Sequence, residues 1–120
     1  PGIDRLLRHE QDFIRFEGQE VDLTLKEAIG EAATGSSGTA SLAPKAWGTS
    51  LTLTAADLPA NGPYALEVVG RDGHVERAAT WGRTPRGRAV VVGATSLSRD
   101  EIRAVVVRTT EGTVLSAALG

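Results

Sequence analysis

The chain has no cysteine, no methionine and only five aromatic residues (one Tyr, two Phe, two Trp) among 120. Without cysteine there is no disulfide framework and no thiolate metal site. Such a composition fits a reducing cytoplasm and a disulfide-free exported bacterial domain equally. Scarce aromatics leave few platforms on which the bases of single-stranded nucleic acid could stack, so no nucleic-acid partner is expected. No run approaches the ~18 apolar residues of a membrane-spanning helix, and no signal peptide opens the sequence. It starts at Pro1 rather than methionine, which reads as a processed product or a piece prepared for expression. Whatever preceded it would carry any targeting signal or anchor. Reaction motifs are lacking as well: no P-loop, Gly-x-Gly-x-x-Gly, His-Glu-x-x-His, calcium loop or nucleophile elbow. The chain reads as a non-enzyme with no catalytic residue, no metal site and no cofactor.

Charge is present but uneven. Residues 1–70 hold five Lys/Arg against ten Asp/Glu, whereas residues 71–120 hold eight Arg against five acids, within a formal net charge of −2. That asymmetry can steer a partner, yet the basic half is dilute for a nucleic-acid footprint. Eleven of the thirteen bases are arginine, which a high-GC genome explains without selection for arginine chemistry.

The most informative pattern is a hairpin. Tyr64-Ala65-Leu66-Glu67-Val68-Val69-Gly70 and His74-Val75-Glu76-Arg77-Ala78-Ala79-Thr80-Trp81 are β-like runs flanking Asp72-Gly73, which predicts a type I′ turn with positive φ at both central residues. Val21, Leu23 and Leu25 alternate with polar residues, as do Leu51, Leu53 and Ala55, each a half-buried strand. Ala28 to Ala33 extends the first irregularly, Gly35-Ser36-Ser37-Gly38 is a turn, and Thr39 to Leu42 leads to Pro44. Arg88 to Thr95 is apolar enough for a central strand. Ser98-Arg99-Asp100-Glu101 matches a capping box and predicts one helical turn. Arg103–Thr109 and Thr113–Ala118 complete seven to eight short strands, an all-β antiparallel immunoglobulin-like sandwich over residues 20–120. Residues 1–19 differ: Ile3, Leu6, Leu7, Phe13 and Ile14 fall on one face of a predicted helix that Gly18 would end.

Candidate chemistry is thin. His74 shares a strand side with Asp72 and Glu76, a carboxylate–imidazole cluster short of the ligand number zinc wants; an exposed hairpin is the better reading. His9, beside Glu10, reads as a solvated helical position. Arg83, Arg86 and Arg88 around Pro85 and Gly87 could bind phosphate or a polyanion, although a solvated turn is favoured. Trp47 and Trp81 could form an aromatic ligand patch, but such residues more often fill the edge of a sandwich core.

One series resembles a known family: Leu42-Ala43-Pro44-Lys45-Ala46-Trp47-Gly48-Thr49-Ser50-Leu51-Thr52-Leu53, Leu58-Pro59, Tyr64 to Val69, Arg71-Asp72-Gly73, Ala79-Thr80-Trp81, Val90 to Thr95 and Val105 to Thr109. In that order it resembles the C-terminal extracytoplasmic domain of membrane-anchored zinc-finger-type anti-sigma factors, related to anti-sigma-K regulators of high-GC bacteria, over roughly residues 20–118. The resemblance implies a sensory or regulatory domain outside the cell membrane, controlling sigma release through regulated proteolysis. It also implies an envelope protein or protease as partner, a sigma factor bound only through an absent cytoplasmic domain, and a membrane reached through an absent anchor. No zinc ligand carries over. Residues 2–19 depart from the family pattern and are expected to be juxtamembrane. Ile3, Leu6, Leu7, Phe13, Ile14 and Phe16 would dock on the sandwich, and Trp47 and Trp81 would add to the partner surface. The competing expectation is a secreted binding module for a glycan or envelope protein, using Trp47, Trp81 and Tyr64. Open strand edges permit a homodimer.

Overall fold

The computed structural model of the chain describes residues 20–27, 35–60 and 62–119. The helix expected within 1–19, with its docking residues Leu6, Leu7, Phe13, Ile14 and Phe16, lies outside the described residues, as does the extension at Ala28 to Ala33. Eight strands follow one another: β1 (Val21–Glu27), β2 (Ser37–Lys45), β3 (Gly48–Ala56), β4 (Tyr64–Gly70), β5 (Val75–Trp81), β6 (Ala89–Thr95), β7 (Ile102–Thr109) and β8 (Gly112–Ala118). Every pairing is antiparallel, so the all-β antiparallel expectation is borne out.

The strands lie in the order β5-β4-β7-β8-β1-β2-β3-β6. Strand β1 is the fold line. Its first five residues pair with β2 from Val21↔Leu42 to Leu25↔Gly38, and its last two, Lys26 and Glu27, pair with Ser116 and Leu115 of β8. One sheet is therefore β1-β2-β3-β6 and the other β5-β4-β7-β8, with β3→β4, β5→β6 and β6→β7 crossing between them. These crossings give the Greek-key connectivity of immunoglobulin-like sandwiches.

Period-two alternation supplies the core. Leu42, Leu51 and Leu53 from one sheet and Leu66, Val68, Val105, Val107 and Leu115 from the other are fully buried. Each such side chain contributes roughly 1.5–3 kcal/mol through burial. On the opposite side of the molecule from β1, the two edge strands β5 and β6 come close without pairing. A Cβ on Gly93 would stand 2.9 Å from the Ala78 carbonyl oxygen, so the missing side chain lets the strands approach.

Two sequence expectations need correction. The β4–β5 connection is not a two-residue type I′ turn. Gly70 and His74 close a loop of three residues, with Gly70 N donating to His74 O (2.7 Å) and Gly73 N donating to Gly70 O (2.9 Å). Only Gly73 has positive φ (+89°). Asp72 instead accepts the His74 N–H on its Oδ1 at 2.9 Å, a local side-chain bond that suits Asp to a turn. Strand β6 is also not central but terminal in its sheet. Its apolar run is split between faces: Gly93 and Thr95 point inward, while Val90 and Val92 are 73% and 69% exposed. The turn at Ser98 forms as expected. Ser98 N and Oγ both donate to Glu101 Oε1, at 2.9 and 3.0 Å, before a single 3-10 turn at Arg99–Glu101.

Candidate functional site

Two loops meet where β3 and β5 end. The first, 57–60, follows β3; the second, 82–88, carries Arg83, Arg86 and Arg88. They are joined backbone to backbone: Asp57 N donates to Arg86 O and Leu58 N to Gly87 O, both at 3.2 Å. The approach is possible only because residue 87 is glycine. Its φ is +64°, and a Cβ there would stand 2.2 Å from Leu58 N and 2.4 Å from Leu58 O. Asp57 and Arg86 are the two non-glycine residues with positive φ among the described residues (+58° and +59°). Asp tolerates that region, but for Arg86 it costs about 1–2 kcal/mol. Strain of this kind concentrates at functional sites.

Between the loops is a cavity of about 600 Å³ walled by the Tyr64 ring. Tyr64 is 2% exposed, and its hydroxyl donates to the Pro59 carbonyl, fixing the first loop. Trp81, its cross-strand partner, packs on it with ring centroids 5.6 Å apart. Thr84 Oγ1, a buried polar atom of the lining, has no partner among the described residues, and neither does Trp81 Nε1, which lies outside the lining. A hydroxyl can donate and an indole N–H can only donate, and leaving such groups unmet costs about 1–3 kcal/mol each. Arg83 and Arg86 are exposed at the cavity's mouth, with Arg88 just beyond. Among the described residues their guanidinium groups make no ion pair. The chemistry is that of a donor-rich pocket with one acid, Asp57, in its lining.

On the other side of Tyr64 a second groove of about 360 Å³ includes Arg77, Arg108, Thr80 and Thr109. Here the arginines are partnered. Glu67 of β4, nearly buried, accepts from Arg108 Nε at 2.9 Å and faces Arg77 at 3.6 Å, tying three adjacent strands together. Two cations around one carboxylate leave a net positive charge beside the first cavity.

The other sequence candidates fall elsewhere. His74 Nε2 is 3.6 Å from Glu76 Oε2, but Asp72 turns to the backbone, and no group of three His, Asp or Glu able to hold a metal is found among the described residues. Glu76 is engaged with β6: Ser96 Oγ and Thr95 Oγ1 donate to its carboxylate at 2.6 and 2.8 Å, and Ser96 N donates at 3.0 Å. Those bonds pull its pKa from 4.5 down to about 2. Trp47 is 55% exposed at the tip of the β2–β3 hairpin, two residues before Thr49, which pairs with Thr95. It thus sits at the Glu76 end of the molecule, whereas Trp81 lies five residues along β5, about 16 Å away. Trp47 and Trp81 thus stand toward opposite ends of the sandwich, and of the two Trp81 packs on Tyr64. Sequence reasoning named Arg83, Arg86 and Arg88 but missed Thr84 and the facing loop at Asp57. Their meeting depends on a Greek-key crossing that no local pattern encodes.

No family model and no solved structure matches this chain. Curated relatives match a short stretch. The ribosome maturation factor RimP of Delftia acidovorans is 74% identical over 35 residues, 29% of this chain and 18% of that protein. That of Paracidovorax citrulli is 69% identical over 35 residues, 29% of this chain and 17% of that protein. That of Verminephrobacter eiseniae is 60% identical over 38 residues, 32% of this chain and 16% of that protein. The chain therefore spans less than a fifth of the length of the curated relatives it matches, and the matched stretch is far shorter than the eight-stranded sandwich.

These relatives bear the name of a ribosome maturation factor, not of an anti-sigma factor, and this overturns the resemblance read from the sequence. With it fall the regulatory role through proteolysis, the alternative of a secreted binding module, the envelope protein or protease as partner, and the extracytoplasmic location. No helix among the described residues is long and apolar enough to cross a membrane. The physical reason for the error is visible in the residues that carried the resemblance. Gly48 lets the β2–β3 hairpin press on Thr95, Leu58 and Tyr64 fill the core, and Gly73 closes a turn. They specify a sandwich of this connectivity, and a fold hosts many functions.

Proposed function

We propose that this protein acts in ribosome maturation, as a binding protein rather than an enzyme. The observation that carries the reading is the 74% identity over 35 residues to a ribosome maturation factor. Identity of that density over a stretch of that length implies common descent of the segment, and it recurs at 60–70% in relatives from several other genera. The donor-rich pocket between the 57–60 and 82–88 loops supports a binding role, since its free guanidinium groups suit the anionic surfaces of a ribosomal particle.

The test is sedimentation. In lysates of the source organism, the native protein should travel with ribosomal particles in a sucrose gradient, and its depletion should enrich incompletely matured particles. Migration only at the top of the gradient, with a normal particle profile after depletion, would refute the reading.

A further inference from the structure

We propose that the cavity between the 57–60 and 82–88 loops is a phosphate-binding pocket that takes the backbone of single-stranded RNA. The choice of RNA among phosphate-bearing ligands rests on the ribosome-maturation reading; the choice of phosphate rests on the pocket alone.

Three observations converge. The pocket's polar complement is dominated by donors. Arg83 and Arg86 stand at its mouth with no carboxylate partner among the described residues, and Thr84 Oγ1 is buried in its lining without a partner. Groups of this kind call for an acceptor, and a phosphodiester offers two anionic oxygens that a guanidinium meets with two parallel bonds.

The site is also built rather than incidental. Arg86 is held at φ +59° by the Asp57 N–H on its carbonyl and by the glycine-only contact of Gly87 with Leu58. Its strained backbone is fixed on both sides by the facing loop. An arginine on a solvated turn would need none of this.

Lastly, the charge continues. The Arg77–Glu67–Arg108 cluster, one positive charge in excess, borders the second groove on the far side of the same Tyr64 ring. Successive phosphates of an extended strand could therefore be met in turn. Stacking is not needed for this, which suits a chain so poor in aromatics: the backbone is held and the bases are left outward.

Fluorescence anisotropy of labelled oligouridine with the intact protein tests the proposal. Binding should weaken with salt, with log K falling against log [salt] at about −0.7 per phosphate contacted. The double variant Arg83→Glu/Arg86→Glu should bind at least about tenfold more weakly with a shallower salt slope. Thr84→Val, which keeps the shape and removes the hydroxyl, should weaken binding less but measurably. Arg103→Glu makes the same kind of charge change at the opposite end of β7 and should leave affinity near wild type. Inorganic phosphate at high concentration should compete. Thermal melts of each variant confirm the fold.

Wild-type affinity in the folded double variant, equal losses in Arg103→Glu and the double variant, or no RNA binding by the wild type would overturn the proposal. The ribosome reading is judged separately by sedimentation of the same proteins. If the folded double variant keeps wild-type affinity for oligouridine while the wild type co-sediments with ribosomal particles, the pocket is wrong and that reading stands. If oligouridine binds through the pocket while the wild type fails to co-sediment, the pocket stands and the reading falls.

Discussion

Glu76, near the start of β5, and Ser96, just past the end of β6, clasp the two edge strands of the sandwich. Ser96 donates both its hydroxyl (2.6 Å) and its backbone N–H (3.0 Å) to the one carboxylate. Thr95 adds a third bond at 2.8 Å. Strands β5 and β6 make no ladder, so the seam between them is held by this clasp and by the close approach at Gly93.

The clasp carries a pH dependence whose direction follows from its chemistry. The hydrogen bonds from Ser96 and Thr95 favour the charged carboxylate and lower its pKa to about 2. A carboxyl depressed on folding stabilises the protein fully above its unfolded value near 4.5, and that contribution fades as pH falls toward about 2. Urea unfolding of Glu76→Gln should therefore show a lower midpoint than wild type at neutral pH, and the gap should close across that window. A constant gap between pH 7 and pH 2 would mean the carboxylate's charge plays no part.

Two glycines with positive φ should respond very differently to alanine. Gly48 has φ +146°, and a Cβ there would meet Thr95 O at 2.1 Å; both conformation and packing resist it. Gly73 has φ +89° with nothing within 4 Å, so only conformation does. Gly48→Ala should cost about 3 kcal/mol and Gly73→Ala about 1 kcal/mol. Chemical denaturation of the two variants checks the order. Equal losses would show that the hairpin tip yields easily over the β6–β7 connection.

Much of the fold could be read in the chain. Alternation at Val21–Leu25 and Leu51–Ala55, the Ser98 to Glu101 cap and the breaks at Asp57–Pro63 each act over a few residues, where local chemistry decides. The position of a strand within its sheet is not local. Val90 and Val92 read as a central strand because β propensity and apolar character are the same for an edge, and only the crossing of β6 between sheets exposes them. The pocket was half legible for a related reason. Three arginines around Pro85 and Gly87 are a sequence signal, whereas the orphaned Thr84 hydroxyl and the strain at Arg86 exist only once the Asp57 loop is folded against them. The anti-sigma resemblance failed differently, since its residues were those the sandwich needs structurally.

The two tryptophans should be separable by fluorescence. Trp47 is 55% exposed, while the Trp81 indole N–H is buried and its ring packs on Tyr64. A Trp47→Phe variant should emit to the blue of wild type and resist iodide quenching; Trp81→Phe should do the reverse. If RNA enters the pocket, the Trp81 signal should change on binding and that of Trp47 should not. Matching emission and quenching in the two variants would contradict the placement of the rings.

The Glu67 cluster makes an asymmetric prediction. Arg108 lies 2.9 Å from the carboxylate with its side chain 43% exposed; Arg77 lies at 3.6 Å and is 64% exposed. Glu67 itself is only 10% exposed along its side chain, so it depends on Arg108 to replace lost water. Arg108→Ala should leave that carboxylate under-satisfied at a cost of about 1–3 kcal/mol. Arg77→Ala should cost about 0.5 kcal/mol or less, as an exposed ion pair does. Glu67→Gln should fall between them, since an amide still accepts from Arg108 while both cations keep access to solvent. Adding Arg108→Ala to Glu67→Gln should then cost less than Arg108→Ala does alone, because the charge that needed it is gone. Denaturant unfolding of the four variants closes the cycle. Additive losses would mean that Arg108 stabilises through packing of its aliphatic stem on β4 rather than through Glu67.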